Sequence, residues 1–174
     1  MGGETLRNFF RFVILILLQA MIFDHWTLEW GVQPFIYILF ILMLPFETQP
    51  WLVMILGFIT GLGMDAFENT EGMHASATTL MAFIRKPLLE RIAPRDGYES
   101  GDRPTIPSMG FPWFLRYTAI LALIHHTWLY GLAQFRLDAL FIILRNGIFS
   151  AAFTLILLII YQYLIHGSPS RGRR

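Results

Sequence analysis

Between residues 140 and 165 the chain reads "LFIILRNGIFSAAFTLILLIIYQYLI", with Arg145 as its one charged side chain. Few environments accept such a run. A helix of roughly 20 mostly apolar residues crosses about 30 Å of hydrocarbon, and this stretch is long enough to do so. Composition points the same way. Of 174 residues, 55% are hydrophobic and 14% are charged, against about 25% charged in an ordinary soluble domain. Much of the surface is therefore expected to lie out of water. A net charge of +1 and a single lysine, Lys86, leave no basic footprint for nucleic acid. The absence of cysteine excludes disulfides, thiol catalysis and cysteine metal sites.

The same length rule finds five further candidates. The expectation is an all-α integral membrane protein with six transmembrane helices in one polytopic domain, 1–174. The helices are placed at about 6–23, 33–46, 50–66, 72–86, 111–131 and 140–165, with a cytoplasmic loop at 87–109. Arg7 and Arg11 before Phe12–Leu18 imitate a signal peptide. The chain continues "QAMIFDHW", bulky where a small-x-small cleavage site should stand, so an uncleaved first span is expected. The second and fourth candidates are short. An alternative for the second is a re-entrant hairpin shared with the third. The fourth carries His74, Ser76, Thr78 and Thr79, which suits packing among neighbours better than exposure to lipid.

Positive charge sets the orientation. With the N-terminus inside, the inner segments hold Arg7, Arg11, Arg85, Lys86, Arg91, Arg95, Arg103, Arg171, Arg173 and Arg174, and the outer segments hold Arg136. Both termini are then cytoplasmic. Arg11 and Arg116 can snorkel to the inner interface. Trp26 and Trp30 in "DHWTLEWG" suit an outer aromatic belt.

Negative charge gathers in "GLGMDAFENTEGMHASA", residues 61–77, with Asp65, Glu68, Glu71 and His74. The plain reading is an extracytoplasmic turn, with Asn69 and Gly72 supplying turn geometry. The chemical reading is a proton relay or cation site, because Asp65 and Glu68 share a face if the helix continues. His125 and His126 are adjacent, about 100° apart on a helix, so they do not chelate one ion easily. They read as packing and interhelical hydrogen bonding, or as a ligand or proton site. Counting back from Ile165 puts Arg145 at the outer interface, and "LFIIL" beyond it hints at a protein contact or a tilted helix. The inner loop has an amphipathic piece, Leu88–Ile92, fenced by Pro87 and Pro94, suited to lipid headgroups or to a cytoplasmic partner. No nucleophile elbow, phosphate loop, dinucleotide fingerprint or zinc-protease motif occurs. No catalytic residue, metal or cofactor is expected.

Two stretches, "PFIYILFILMLPFETQPWLVMILGFITGLGMDAFENTEGMHASATTLMAFIRKPLLERIAPRDGY" and "SMGFPWFLRYTAILALIHHTWLY", together resemble the rod shape-determining MreD family in its Bacteroidota form. The densest parts are Gly61–Asp65, Asn69, Gly72–Ala77 and the Arg85/Pro87 pair. The resemblance implies a six-helix protein of the bacterial inner membrane, with a fold similar to the substrate-binding subunits of energy-coupling-factor transporters. It implies partnership with the bitopic scaffold MreC, and through it with MreB, RodA and a penicillin-binding transpeptidase in lateral peptidoglycan synthesis. Partner contacts would then involve residues such as Gly61, Asp65, Asn69, Gly72, His74, His125, His126 and Arg145. Two rivals stand beside this non-enzymatic reading. One is a small-molecule-binding transporter subunit with a cavity at His74, His125 or Asp65. The other is a membrane enzyme using Asp65, Glu68 and His74.

Overall fold

The computed structural model describes residues 2–23, 31–99 and 101–166. It is mostly helical, with no strand among the described residues. The long helices are α1 (Gly2–Met21), α3 (Pro50–Glu68), α4 (Met73–Arg91), α6 (Phe111–Gln134) and α7 (Leu140–His166). Two short ones are α2 (Leu39–Leu42), entered through a 3-10 turn at Ile36–Ile38, and α5 (Ile106–Met109). Pro50–Glu68 and Leu140–Ile165 are each long and apolar enough to cross a membrane. Trp26, Trp30, Arg171, Arg173 and Arg174 lie outside the described residues.

The helix expected over 33–46 does not form as one rod. The backbone is irregular over 33–35, turns tightly at Ile36–Ile38 and makes one α turn at Leu39–Leu42. Its seven helical residues rise only roughly 12 Å, at 1.5–2 Å each. Every residue from Phe35 to Leu44 is nonetheless buried. The reason is that neighbouring side chains replace the missing helical hydrogen bonds. Gln33 N–H donates to Ser150 Oγ at 3.0 Å and Phe35 N–H to Thr154 Oγ1 at 2.9 Å. Gln19 takes the Ile36 N–H at 2.8 Å and gives its amide hydrogen to Pro34 O at 3.0 Å. At the other end, Tyr117 donates to Leu42 O at 3.0 Å, and Arg85 donates to Leu44 O and Pro45 O. Irregular backbone buried in a protein interior survives only when each polar group finds such a partner.

These bonds also fix the topology. The central segment starts beside the C-terminal part of α1 (Gln19) and ends beside the C-terminal half of α4 (Arg85). Phe12 of α1 meets Phe40 edge-on at 5.2 Å. The segment therefore runs antiparallel to α1 and α6 and parallel to α4 and α7. The main segments alternate in direction, with the α3–α4 and α6–α7 turns at one end.

The end of the fourth helix also moves. α4 continues to Arg91 rather than stopping at 86, and so takes in Pro87. A proline forfeits one backbone bond, but Leu88 and Leu89 are buried and hold the helix on course. The loop expected from 87 is thus partly helical. It is also tied down: Tyr98 donates to Leu89 O at 2.8 Å, Trp113 to Ile92 O at 3.1 Å, and Phe46 stacks on Tyr98 at 4.2 Å.

Polarity is distributed against the usual soluble pattern. Gln19, Thr60, Asp65, His74, Thr78, Arg85, His125, His126, Ser150, Thr154 and Gln162 are buried. Trp51, Ile55, Phe58, Ile59 and Leu62 of α3, and Phe141, Ile148, Phe149, Ile156 and Leu164 of α7, are exposed. Apolar faces this extensive call for a non-aqueous neighbour.

Candidate functional site

The acidic stretch at 61–77 turns out to be a helix junction. α3 ends at Asn69, in the left-handed conformation at φ 55°, whose N–H returns to Asp65 O. The chain reverses through Glu71 (φ 42°) and Gly72 (φ 91°), and α4 begins. A new helix leaves its first N–H groups without partners. Here each is answered. Met73 N–H reaches Thr70 O at 2.9 Å and Ser76 N–H reaches Gly72 O at 2.9 Å. Between them, Asp65 takes the His74 N–H on one oxygen at 3.0 Å and the Ala75 N–H on the other at 2.9 Å. Thr70 adds its hydroxyl to the first oxygen at 2.6 Å. Asp65 is thus a helix cap delivered from the preceding helix, and the partial positive charge of the α4 N-terminus answers its negative one.

Two glycines let α3 come close enough. A Cβ on Gly61 would stand 2.4 Å from Ala75 Cα and His74 O. One on Gly57 would stand 3.0 Å from Ala82 Cβ and Thr78 O. Glycines four apart on an apolar helix are a known device for tight helix pairing, and the spacing at Gly57 and Gly61 was the sequence signal for it.

From this junction a chain of polar groups runs inward. Glu68 meets His74 Nε2 at 2.9 Å, His74 Nδ1 meets the Tyr37 hydroxyl at 2.9 Å, and that hydroxyl meets His125 Nε2 at 2.8 Å. Tyr37 and His125 are fully buried, and His74 is nearly so. Thr78 flanks Tyr37 at 3.4 Å. The ring of Phe35 stands edge-on to His74 at 5.3 Å and to His125 at 6.1 Å. With Glu68 ionised, His74 carries its proton on Nε2, Tyr37 donates to His74 Nδ1, and His125 donates from Nε2 to the Tyr37 oxygen. Two buried side-chain atoms among the described residues have no partner, Glu68 Oε1 and His125 Nδ1, and they sit at the two ends of this chain.

His126 leaves this network. Its Nδ1 lies 2.7 Å from Ala122 O, which only accepts, so Nδ1 holds the proton. Its Nε2 then takes the hydrogen of Thr154 Oγ1 at 2.9 Å, which leaves that oxygen to accept the Phe35 N–H. The two adjacent histidines therefore serve different neighbours. Arg145 stands apart from the junction, half-buried, with its Nε on Asn146 Oδ1 at 3.0 Å. At the α6–α7 turn the exposed Arg136 pairs with Asp138 and holds that carboxyl below its ordinary range.

Of the residues singled out from sequence, Gly61, Asp65, Asn69, Gly72 and His74 meet at the junction, and His125 joins them through Tyr37. His126 and Arg145 do not. Tyr37 was not singled out, because within "PFIYILF" a tyrosine reads as one more apolar core residue. Among the described residues no group of three His, Asp or Glu side chains is arranged to hold a metal. No protein-family model, no curated protein and no solved structure matches the chain.

Proposed function

We propose that the chain is a non-enzymatic polytopic component of a bacterial inner membrane that works through lateral contacts with other membrane proteins. The observation that carries this reading is the inverted polarity. The groups able to do chemistry face inward and pair with one another or with backbone, while broad apolar helix faces look outward. In this reading α1, the central segment, α3, α4, α6 and α7 make six crossings with both termini cytoplasmic. The central segment crosses as a broken helix rather than as half of a re-entrant hairpin. The resemblance of residues 34–130 to the MreD family supplies the role: binding a bitopic MreC-like scaffold and helping to organise lateral peptidoglycan synthesis.

The test is in-cell crosslinking followed by a tagged pull-down in mild detergent and mass spectrometry. Recovery of a bitopic coiled-coil protein together with a peptidoglycan polymerase and a transpeptidase is expected. Recovery of ATPase subunits, with no wall-synthesis protein, would overturn it.

One observation favours the transporter-subunit alternative. Between α1 and α7 lies an apolar groove of about 750 Å³, floored by Ile36 and Leu39 and rimmed by Phe10, Arg11, Tyr161 and Leu164. Its volume suits an organic ligand, but its lining does not include Asp65, His74 or His125.

A further inference from the structure

The two carboxylates that α3 brings to its junction with α4 are answered differently. Asp65 is satisfied by three neutral donors and by the end of α4. Glu68 has one bonded partner, His74, and its second oxygen is buried without any. With His74 neutral, a largely buried anion faces no cation in its own network. Such an arrangement is costly unless a positive charge can be supplied. A proton on His74 supplies it.

The site is built to accept that proton. His74 Nε2 already faces Glu68, so the new proton goes to Nδ1, where Tyr37 now donates. The Tyr37 hydroxyl has a second acceptor within reach, Thr78 Oγ1 at 3.4 Å, and Thr78 spends its own hydrogen on His74 O at 2.7 Å. Tyr37 can turn its hydrogen to Thr78 and offer its oxygen to both His74 Nδ1 and His125 Nε2. Both states leave every hydrogen in the network with an acceptor. Glu68, with 11% of its side chain exposed, is the route to solvent, since His74 is at 2% and Tyr37 at 0%.

We propose that His74 is a proton-binding site, with Glu68 as its resident counter-ion and Tyr37 as the hydroxyl that reverses one hydrogen bond to admit the proton. The surroundings are accounted for on each side. α3 contributes Asp65 and Glu68, the turn contributes the exposed Glu71, and the central segment contributes Tyr37. α6 contributes His125, His126 and Tyr130, of which His126 is committed to Ala122 and Thr154, and Tyr130 to Gly31 O and Ser150. From α1 the polar neighbour is Gln19, bound to backbone, and from α7 Arg145 lies at the same end on Asn146. Protonation therefore converts the link between the α3–α4 pair and the central segment from a neutral hydrogen bond into an ion-pair-anchored one.

The experiment is a pH series of nitrogen-15 histidine spectra, by solid-state NMR, on the full chain in phospholipid bilayers. On acidification His74 is expected to pass from one ring proton to two, while His125 keeps its proton on Nε2 and His126 on Nδ1. In Glu68→Gln and in Thr78→Val the same change should need a lower pH. If His74 keeps a single ring proton until the protein unfolds, or if His125 charges before it, the proposal fails. It also fails if both variants titrate like the parent. The parent series decides alone should a variant not fold.

Discussion

Gly61 and Ala75 are held so close that the two helix backbones touch: a Cβ on the glycine would lie 2.4 Å from the Ala75 Cα. The obstacle is backbone and cannot step aside. Gly61→Ala is expected to lower stability by about 2–3 kcal/mol, the upper part of the overpacking range. Gly63→Ala meets only the Ile16 Cδ1 at 2.9 Å, a side-chain tip, and should cost under about 1 kcal/mol. Reversible denaturant titration in detergent separates the two. Equal losses would mean that the close crossing is not a constraint.

Asp65 caps α4 with both oxygens. Asp65→Ala removes two backbone acceptors and should destabilise by about 1–2 kcal/mol. Asp65→Asn retains one acceptor and loses the charge facing the helix end, worth about 0.3–1 kcal/mol, so it should fall between. Amide exchange at His74 and Ala75 is the local readout. Faster exchange confined to these residues is expected, and unchanged exchange in Asp65→Ala would refute the cap.

Arg85 is buried and joins three groups, Tyr117 Oη and the carbonyls of Leu44 and Pro45. A guanidinium fork does this and an ammonium does not. Arg85→Lys should therefore be nearly as harmful as Arg85→Met. Each is expected to cost about 2–4 kcal/mol, since buried acceptors lose charge-assisted bonds. The same denaturant titration, run on both variants beside Lys86→Met, tests it. Lys86 is exposed and paired only with Glu90 at 3.8 Å, so its loss should be within about 0.5 kcal/mol.

Thr154 serves Phe35 and His126 at once. Thr154→Val leaves a buried N–H without an acceptor and should cost about 1–3 kcal/mol, while Thr154→Ser should restore most of it. A valine variant as stable as the parent would mean that the Phe35 amide does not depend on Thr154.

Sequence reading reached the helices that announce themselves locally. The apolar runs of α3 and α6 begin at Pro50 and beside Pro112, Gly72 marks the turn between α3 and α4, and the boundaries of α3, α6 and α7 fall within a few residues of those read from the chain. It failed at 33–46 for a physical reason. Whether those apolar residues coil into a rod depends on acceptors supplied by Ser150 and Thr154, more than a hundred positions away. Their spacing of four places both on one face of α7, which was a legible hint, although nothing in it named the backbone they would serve. The junction was half legible. Asp65, Asn69 and Gly72 stood out as turn chemistry. That the carboxylate closes the next helix, and that the polar line continues to Tyr37, required the approach at Gly61 to be seen in three dimensions.

The bonds from Gln33 and Phe35 to α7 bear on the order of assembly. A ribosome releases residues 33–35 long before residues 150 and 154 exist. Until α7 arrives, two main-chain amides of the central segment lack their lasting partners. The nascent chain can thread its early segments one by one, but it cannot lock its centre. The central segment therefore closes only once α7 has been made, and a chain truncated before Ser150 should leave two buried amides open and be a substrate for proteolysis rather than a smaller working version.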